Sequence, residues 1–198
     1  MIKTYNEKGV PLRFTWTNGC LEEKHLYDTY CNLIMHLANN GFNQVLVNNE
    51  LLEQYIRENY PNYPLISSTT KRILKLDGML EELKKDYELV VLDYDLNHDE
   101  TVLKALEPQA ERVEILVNEI CNPHCPKRSE HYLQQSKMQL EFDVNTGFPC
   151  PNKTQSRTFA DCKKRPAFLS NEDIMRYVDR GFVNFKIVGR GMPMDFVK

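Results

Sequence analysis

The sequence predicts an α/β fold of repeating strand–helix units, and three observations predict it. Six short apolar runs, 14–17, 45–48, 65–68, 89–93, 113–117 and 185–188, read as buried strands. Helical patterns lie between them. Each run closes on small polar or charged residues: Thr17 and Asn18, Asn48 and Asn49, Ser67 to Thr69, Asp93, Asn118 and Glu119, Gly189 and Arg190. Strands that alternate with helices need crossover connections and therefore a parallel sheet, which gathers these polar ends on one face. A barrel and an open doubly wound sheet both satisfy that pattern. No GxGxxG or Walker motif follows any run, which counts against a nucleotide-binding open sheet.

Taking the helices in order, Leu26, Tyr30, Leu33, Ile34 and Leu37 recur at helical spacing and predict one helix with that face in the core, stopped by Gly41. Leu51, Leu52, Tyr55 and Ile56 predict a second, ending before Pro61. The segment SSTTKRIL starts a third, with a break expected near Gly78, and 99–106 forms a fourth. Ser170 and Asp173 match a capping box for the last, whose Ile174, Tyr177 and Val178 face the core until Gly181.

The chain has 198 residues, one domain's length with ample material for a core. Lys and Arg number 25 against 28 Asp and Glu, so the net charge of -3 gives no global attraction to nucleic acid or acidic membrane. The N-terminal MIKTYNEKGVPLRF lacks a secretory apolar segment and no run is long enough to span a bilayer, so a cytoplasmic location is expected, without a membrane partner. In a reducing compartment, six cysteines point to metal or redox chemistry rather than disulfides.

Four of them fall in the stretch 118–169, where the sequence shows no clear helix or strand. So long an irregular connection needs a function or something that ties it down. Cys121, Cys125, Cys150 and Cys162 follow the spacing C-x3-C-x24-C-x11-C. Four thiolates suit an iron–sulfur cluster or a tetrahedral zinc ion. Structural zinc favours paired two-residue spacings that are missing here, so the cluster is the leading expectation and zinc the alternative. A radical enzyme using S-adenosylmethionine would need a third cysteine where Arg128 stands. His124 and His131 read as neighbours of the sulfur site, Cys31 as a small core residue and Cys20 as a loop thiol. Lys127, Arg128, Lys137, Lys153, Arg157, Lys163, Lys164 and Arg165 outnumber the acids of this stretch, which suits a thiolate-ligated cluster or an anionic substrate.

The segments RFTWTN, YPLISSTT, VVLDYDLN, VEILVNEICNPHCPKRSEHY, FPC and FVNFKIVGRGMP together resemble the collagenase-like peptidase U32 family and its barrel relatives. The resemblance implies a TIM-like (βα) barrel carrying a 4Fe-4S cluster on Cys121, Cys125, Cys150 and Cys162. It also implies an activity, since the family includes proteins described as peptidases and others that act in oxygen-independent hydroxylation of ubiquinone precursors or RNA. A closed barrel has eight strands and the sequence offers six, so the expectation is a single partial barrel over 1–198 with a metal-binding insertion at 118–169 after the fifth strand. Missing strands leave open edges, which a partner chain or a second copy would cover.

Three functions follow. The first is an iron–sulfur redox enzyme of the hydroxylase type, or its cluster-bearing subunit, acting on a small molecule or RNA. Asn18, Asn48, Ser68 and Asp93 would bind substrate, Glu119 would be the acid or base, and Arg190 would hold a carboxylate or phosphate through its planar fork. The second is a peptidase, although the sequence shows no Ser/His/Asp arrangement or HExxH motif. The third is a non-catalytic, metal-stabilised interaction subunit.

Overall fold

The computed structural model describes residues 1–143, 147–151 and 158–189. Six strands, β1 Arg13–Trp16, β2 Gln44–Val47, β3 Leu65–Ser67, β4 Leu89–Val91, β5 Val113–Leu116 and β6 Asn184–Lys186, form one sheet in chain order, every neighbouring pair parallel. Each lies on one of the predicted runs. The strand order decides between barrel and open sheet, because a doubly wound sheet reverses its order at a switch point. Here every crossover steps the same way, and right-handed crossovers then put the connecting helices on one side. The molecule is a half-barrel.

The described α-helices are α1 Ile2–Asn6, α2 Glu23–Leu26, α3 Thr29–Leu37, α4 Glu50–Asn59, α5 Leu76–Leu83, α6 Glu100–Leu106, α7 Arg128–Glu141, α8 Phe159–Cys162 and α9 Asn171–Asp179, with 3-10 turns at Thr69–Lys71, Tyr94–Leu96 and Glu107–Arg112. On α4 and α9 the predicted core residues Leu51 and Val178 stand exposed, at the margins of their apolar faces, and three further regions differ from expectation. The single helix after β1 is two, because the Asp28 carboxylate accepts the Cys31 N–H at 2.7 Å and caps a new start. The break changes the phase, so Met35 and Ala38 are buried while Tyr30, Leu33 and Leu37 point outward. Gly78 does not break the third helix but lies inside α5, where a Cβ would come within 2.9 Å of Ile73. The insertion is not irregular either, since it carries the 14-residue α7 and the short α8.

Alternation along the strands sorts the sheet into two faces. Outward residues such as Val45, Val47, Val90, Leu92, Val113 and Ile115 join the helices in the main core with Met35, Ile56, Met79, Leu83 and Leu106. Inward residues Leu46, Ile66, Leu89 and Val91 form a separate, smaller cluster. Below it, at the start of the strands, Arg13 Nη1 donates to both oxygens of Glu114, at 2.6 and 2.8 Å, and Arg13 Nε donates to Gln44 Oε1 at 3.0 Å. β1 and β5 are four strand spacings apart, about 19 Å in a flat sheet. Arginine and glutamate side chains with a hydrogen bond between them span roughly 15 Å at most. The ion pair therefore forms only because the sheet is curled around its inner face.

On the helix side a second polar network fixes the turn after β3. Lys71 Nζ donates to Glu82 Oε1 and to the Tyr87 hydroxyl, both at 2.7 Å, and Ser67 Oγ donates to Glu82 Oε1 at 2.6 Å. Lys85 pairs with the other Glu82 oxygen at 2.7 Å, and the Tyr87 hydroxyl donates to Glu53. Burial would push the Glu82 carboxyl up, but the two ammonium groups and the Ser67 hydroxyl outweigh it and hold the group at about 2, from an ordinary 4.5.

Removing one partner of the interior pair leaves a dehydrated charge, so Glu114→Ala should cost roughly 2–4 kcal/mol in urea unfolding. The double replacement Arg13→Met with Glu114→Leu should recover much of that loss. A second expectation concerns acid. Because the folded Glu82 carboxyl is lowered, its contribution is complete above 4.5 and is lost as pH falls toward about 2. Glu82→Gln should cost up to about 3 kcal/mol at pH 7, with the gap from wild type closing across that window in urea titrations at stepped pH.

Candidate functional site at the barrel mouth

Parallel strands end together, and the polar residues that follow them form the rim of a mouth. Several are engaged within the rim itself. Asn18 donates to the Ser136 carbonyl at 2.9 Å and to Gln139 Oε1 at 3.2 Å, and accepts from the Cys20 N–H at 2.8 Å. Asn48 donates to Thr70 Oγ1 at 2.7 Å. Ser68 is buried and caps the turn Thr69–Lys71 by accepting the Thr70 N–H. Asn118 ties β5 to β6 beyond the ladder, donating to the Val188 carbonyl and accepting the Val188 N–H.

Asp93 is the best-anchored acid. Arg72, in a left-handed backbone conformation at φ 57°, sends Nη1 to both Asp93 oxygens, at 2.7 and 2.6 Å, and Nη2 to Asp95 at 2.6 Å. The Lys71 network behind the sheet and this fork in front hold the same turn, which offsets the roughly 1–2 kcal/mol that a non-glycine residue loses there. Burial keeps the Asp93 carboxyl above its ordinary value although the Asp95 N–H and Arg72 pull it down.

Helix α7 closes the mouth from above. Fourteen residues at a 1.5 Å rise give about 21 Å, enough to run from the end of β4 to the end of β1. At its start Arg128 lies over the rings of Tyr94 and Tyr132, at 5.1 and 5.5 Å. Near its end Ser136 and Gln139 meet Asn18 and Gly19. The loop that enters α7 is stitched to the rim, since the His124 N–H donates to Asp95 Oδ1 at 2.7 Å and the Cys121 N–H to Glu119 Oε1 at 2.9 Å.

Beneath this loop is a cavity of about 190 Å³ lined by Glu119, Ile120, Cys121, Asn122, Arg128, His131, Gln135 and Arg165. Burial raises the Cys121 thiol, with Arg128 pulling it back and Glu119 adding to the rise. Arg128 is only 6% exposed, and its Nε and Nη2 have no hydrogen-bond partner among the described residues. Tyr94 is 2% exposed and its hydroxyl is likewise without one.

The structure therefore brings Asn18, Asn48, Ser68, Asp93 and Glu119 to one rim, and puts Glu119 and Cys121 on one cavity. Arg190 lies outside the described residues. The four thiols are not gathered: Cys121 and Cys125 share a loop, Cys162 is fully buried on α8, and Cys150 follows Phe148, whose ring stacks on His131 at 4.4 Å. Among the described residues no group of three or more His, Cys, Asp or Glu stands where it holds a metal ion. The four-thiolate site expected from the spacing is thus not preformed among the described residues. Sequence reasoning missed Arg72, Tyr94, Asp95 and Tyr132 as parts of the mouth. Two signals were present: the DYD triplet closing the fourth run, and Arg128 and Tyr132 one helical turn apart.

Among the described residues no helix is long and apolar enough to cross a membrane. No protein-family model matches the chain, and no curated protein does. Among solved structures the chain is similar to one described as a U32 peptidase, with 17% identity and a TM-score of 0.63 over 97% of this chain and 74% of that one. At that identity the likeness establishes the fold alone: the chain is a partial α/β barrel.

Proposed function

We propose that this protein is a U32-like barrel that works at its C-terminal mouth, with the cysteine-bearing insertion holding an iron–sulfur cluster beside the substrate site. One observation carries the reading: the loop of Cys121 and Cys125 is bonded to the rim through Glu119 and Asp95, so the close thiol pair stands where a half-barrel presents its ligand-facing groups. Cys150 and Cys162 would complete the ligand set. Cys150 lies on a connecting piece and Cys162 ends the short α8, and loading would draw both to the first pair, making metal binding and final folding of the insertion one event. A bound cluster would supply electron transfer. The chain's own contribution would be orientation of the substrate by the rim and proton handling by Glu119. Zinc on the same thiols is the alternative occupant, with a structural role. The likeness to a solved U32 peptidase favours a second reading, hydrolysis of a peptide at the same mouth.

Purification without oxygen should give a brown protein with about four iron and four sulfide per chain, and Cys121→Ser should remove most of both. A colourless protein with about one zinc would replace the redox reading by a structural knot. Cleavage of gelatin by a preparation free of iron and sulfide would favour the peptidase.

A further inference from the structure

The outer face of a helix on a soluble protein normally carries charge, which keeps it solvated and apart from its neighbours. α3 carries none there. Residues 29–49 contain no Asp, Glu, Lys or Arg, in a chain of which 27% is charged. Instead Tyr30, Leu33 and Leu37, spaced three and four apart, stand 71, 50 and 70% exposed on the side opposite the buried Met35 and Ala38. That is the spacing of a seam between two packed helices. With Tyr27, 66% exposed just before the helix, these side chains offer roughly 600 Å² of mostly apolar surface, the upper end of what a soluble monomer leaves in water. Past Leu37 the patch runs into an open groove of about 810 Å³ between α3 and α1, walled by Met1, Ile2 and Leu37. The charged residues of its lining, Lys3 and Glu7, pair with each other at 3.8 Å. Stripe and groove together approach the roughly 800 Å² that each partner contributes to a standard interface.

The arrangement also selects the partner. Tyr30 stands at one end of the stripe and the groove opens at the other, seven residues or about 10.5 Å along the helix. A two-fold axis between Leu33 and Ile34 lays one α3 antiparallel on another and brings each Tyr30 to the other chain's Leu37, at the groove. One operation satisfies both ends, so the contact closes at two chains. We propose that this protein pairs with a second copy of itself through α3, Tyr30 of each chain seated in the groove beside Leu37 of the other. The contact lies on the helix side of the sheet, and it rests on neither reading of the function.

The test is sedimentation equilibrium of the full chain over a range of concentrations, in reducing buffer so that no free thiol bridges two chains. Wild type should reach twice the 23.3 kDa of one chain with a Kd of about 1–10 μM. Leu33→Glu sets two carboxylates together at the axis and should weaken pairing about a hundredfold. Tyr30→Lys and Leu37→Glu should each be monomeric alone, whereas their equimolar mixture should pair, because the new ammonium meets the new carboxylate while the other contact stays native. The proposal is overturned by a wild-type chain that remains monomeric up to about 200 μM, by a dimer that Leu33→Glu leaves intact, or by a mixture that stays monomeric. These positions are exposed in the single chain, and far-ultraviolet circular dichroism checks that each variant folds. Should any fail, hydroxyl-radical oxidation of wild type on either side of the dissociation midpoint decides: Tyr30 and Leu37 are protected in the dimer if the pairing is right, and equally oxidised in both states if it is wrong.

Discussion

The curl of the sheet is the constraint on which the rest depends, and the Arg13–Glu114 pair is where it is fixed. The pair joins the first strand to the fifth across the inner face, a reach that a flat sheet would not allow. It sits beneath Leu46, Ile66, Leu89 and Val91, so the interior has a polar base, an apolar middle and a polar rim, the layering of a packed barrel. The same curl makes the rim concave. Only then does a helix of α7's length bridge from Tyr94 to Asn18 and roof the mouth.

The six strands were legible because parallel strands with helices on one face and an interior on the other become short, nearly continuous apolar runs, as in VVLDYD and VEILVN. Caps were legible where one side chain decides, as in the Ser170–Asp173 box, which is formed as expected. The face of α3 was not. Its periodicity assumed one helix, and a single capping aspartate shifted the phase so that Met35 and not Leu33 met the core. α7 escaped for another reason. It is held by Arg128 on Tyr94 and by the Ser136 backbone on Asn18, polar contacts that leave no apolar stripe in RSEHYLQQSKMQLE. The rim could be read from the chain because strand ends are a local property. Its partners could not, because Arg72 with Asp93 and Arg128 with Tyr94 join separate βα units.

A half-barrel leaves two ends to its sheet. Among the described strands β1 pairs with β2 alone and β6 with β5 alone. Apolar side chains stand exposed at both ends: Tyr30, Leu33 and Leu37 on α3, which follows β1, and Val183 and Ile187 flanking β6. The misread face of α3 and the open edge of β1 are thus neighbours in the chain. In a closed barrel a further βα unit would pack against both.

Arg13, Arg72 and Arg128 reach the inner side of this sheet or its mouth, and their surroundings differ. Arg13 is answered by Glu114 on β5 and Gln44 on β2, and the two Nη groups of Arg72 by Asp93 and Asp95 after β4, while Arg72 Nε has no acceptor among the described residues. These two hold the fold together. Arg128 is more deeply buried than either, lies over the rings of Tyr94 and Tyr132, and leaves Nε and Nη2 without an acceptor among the described residues. Its charge is met instead by the faces of the two tyrosine rings and by the nearby Glu119 carboxylate, so the start of α7 is held by electrostatics rather than by a closed set of hydrogen bonds.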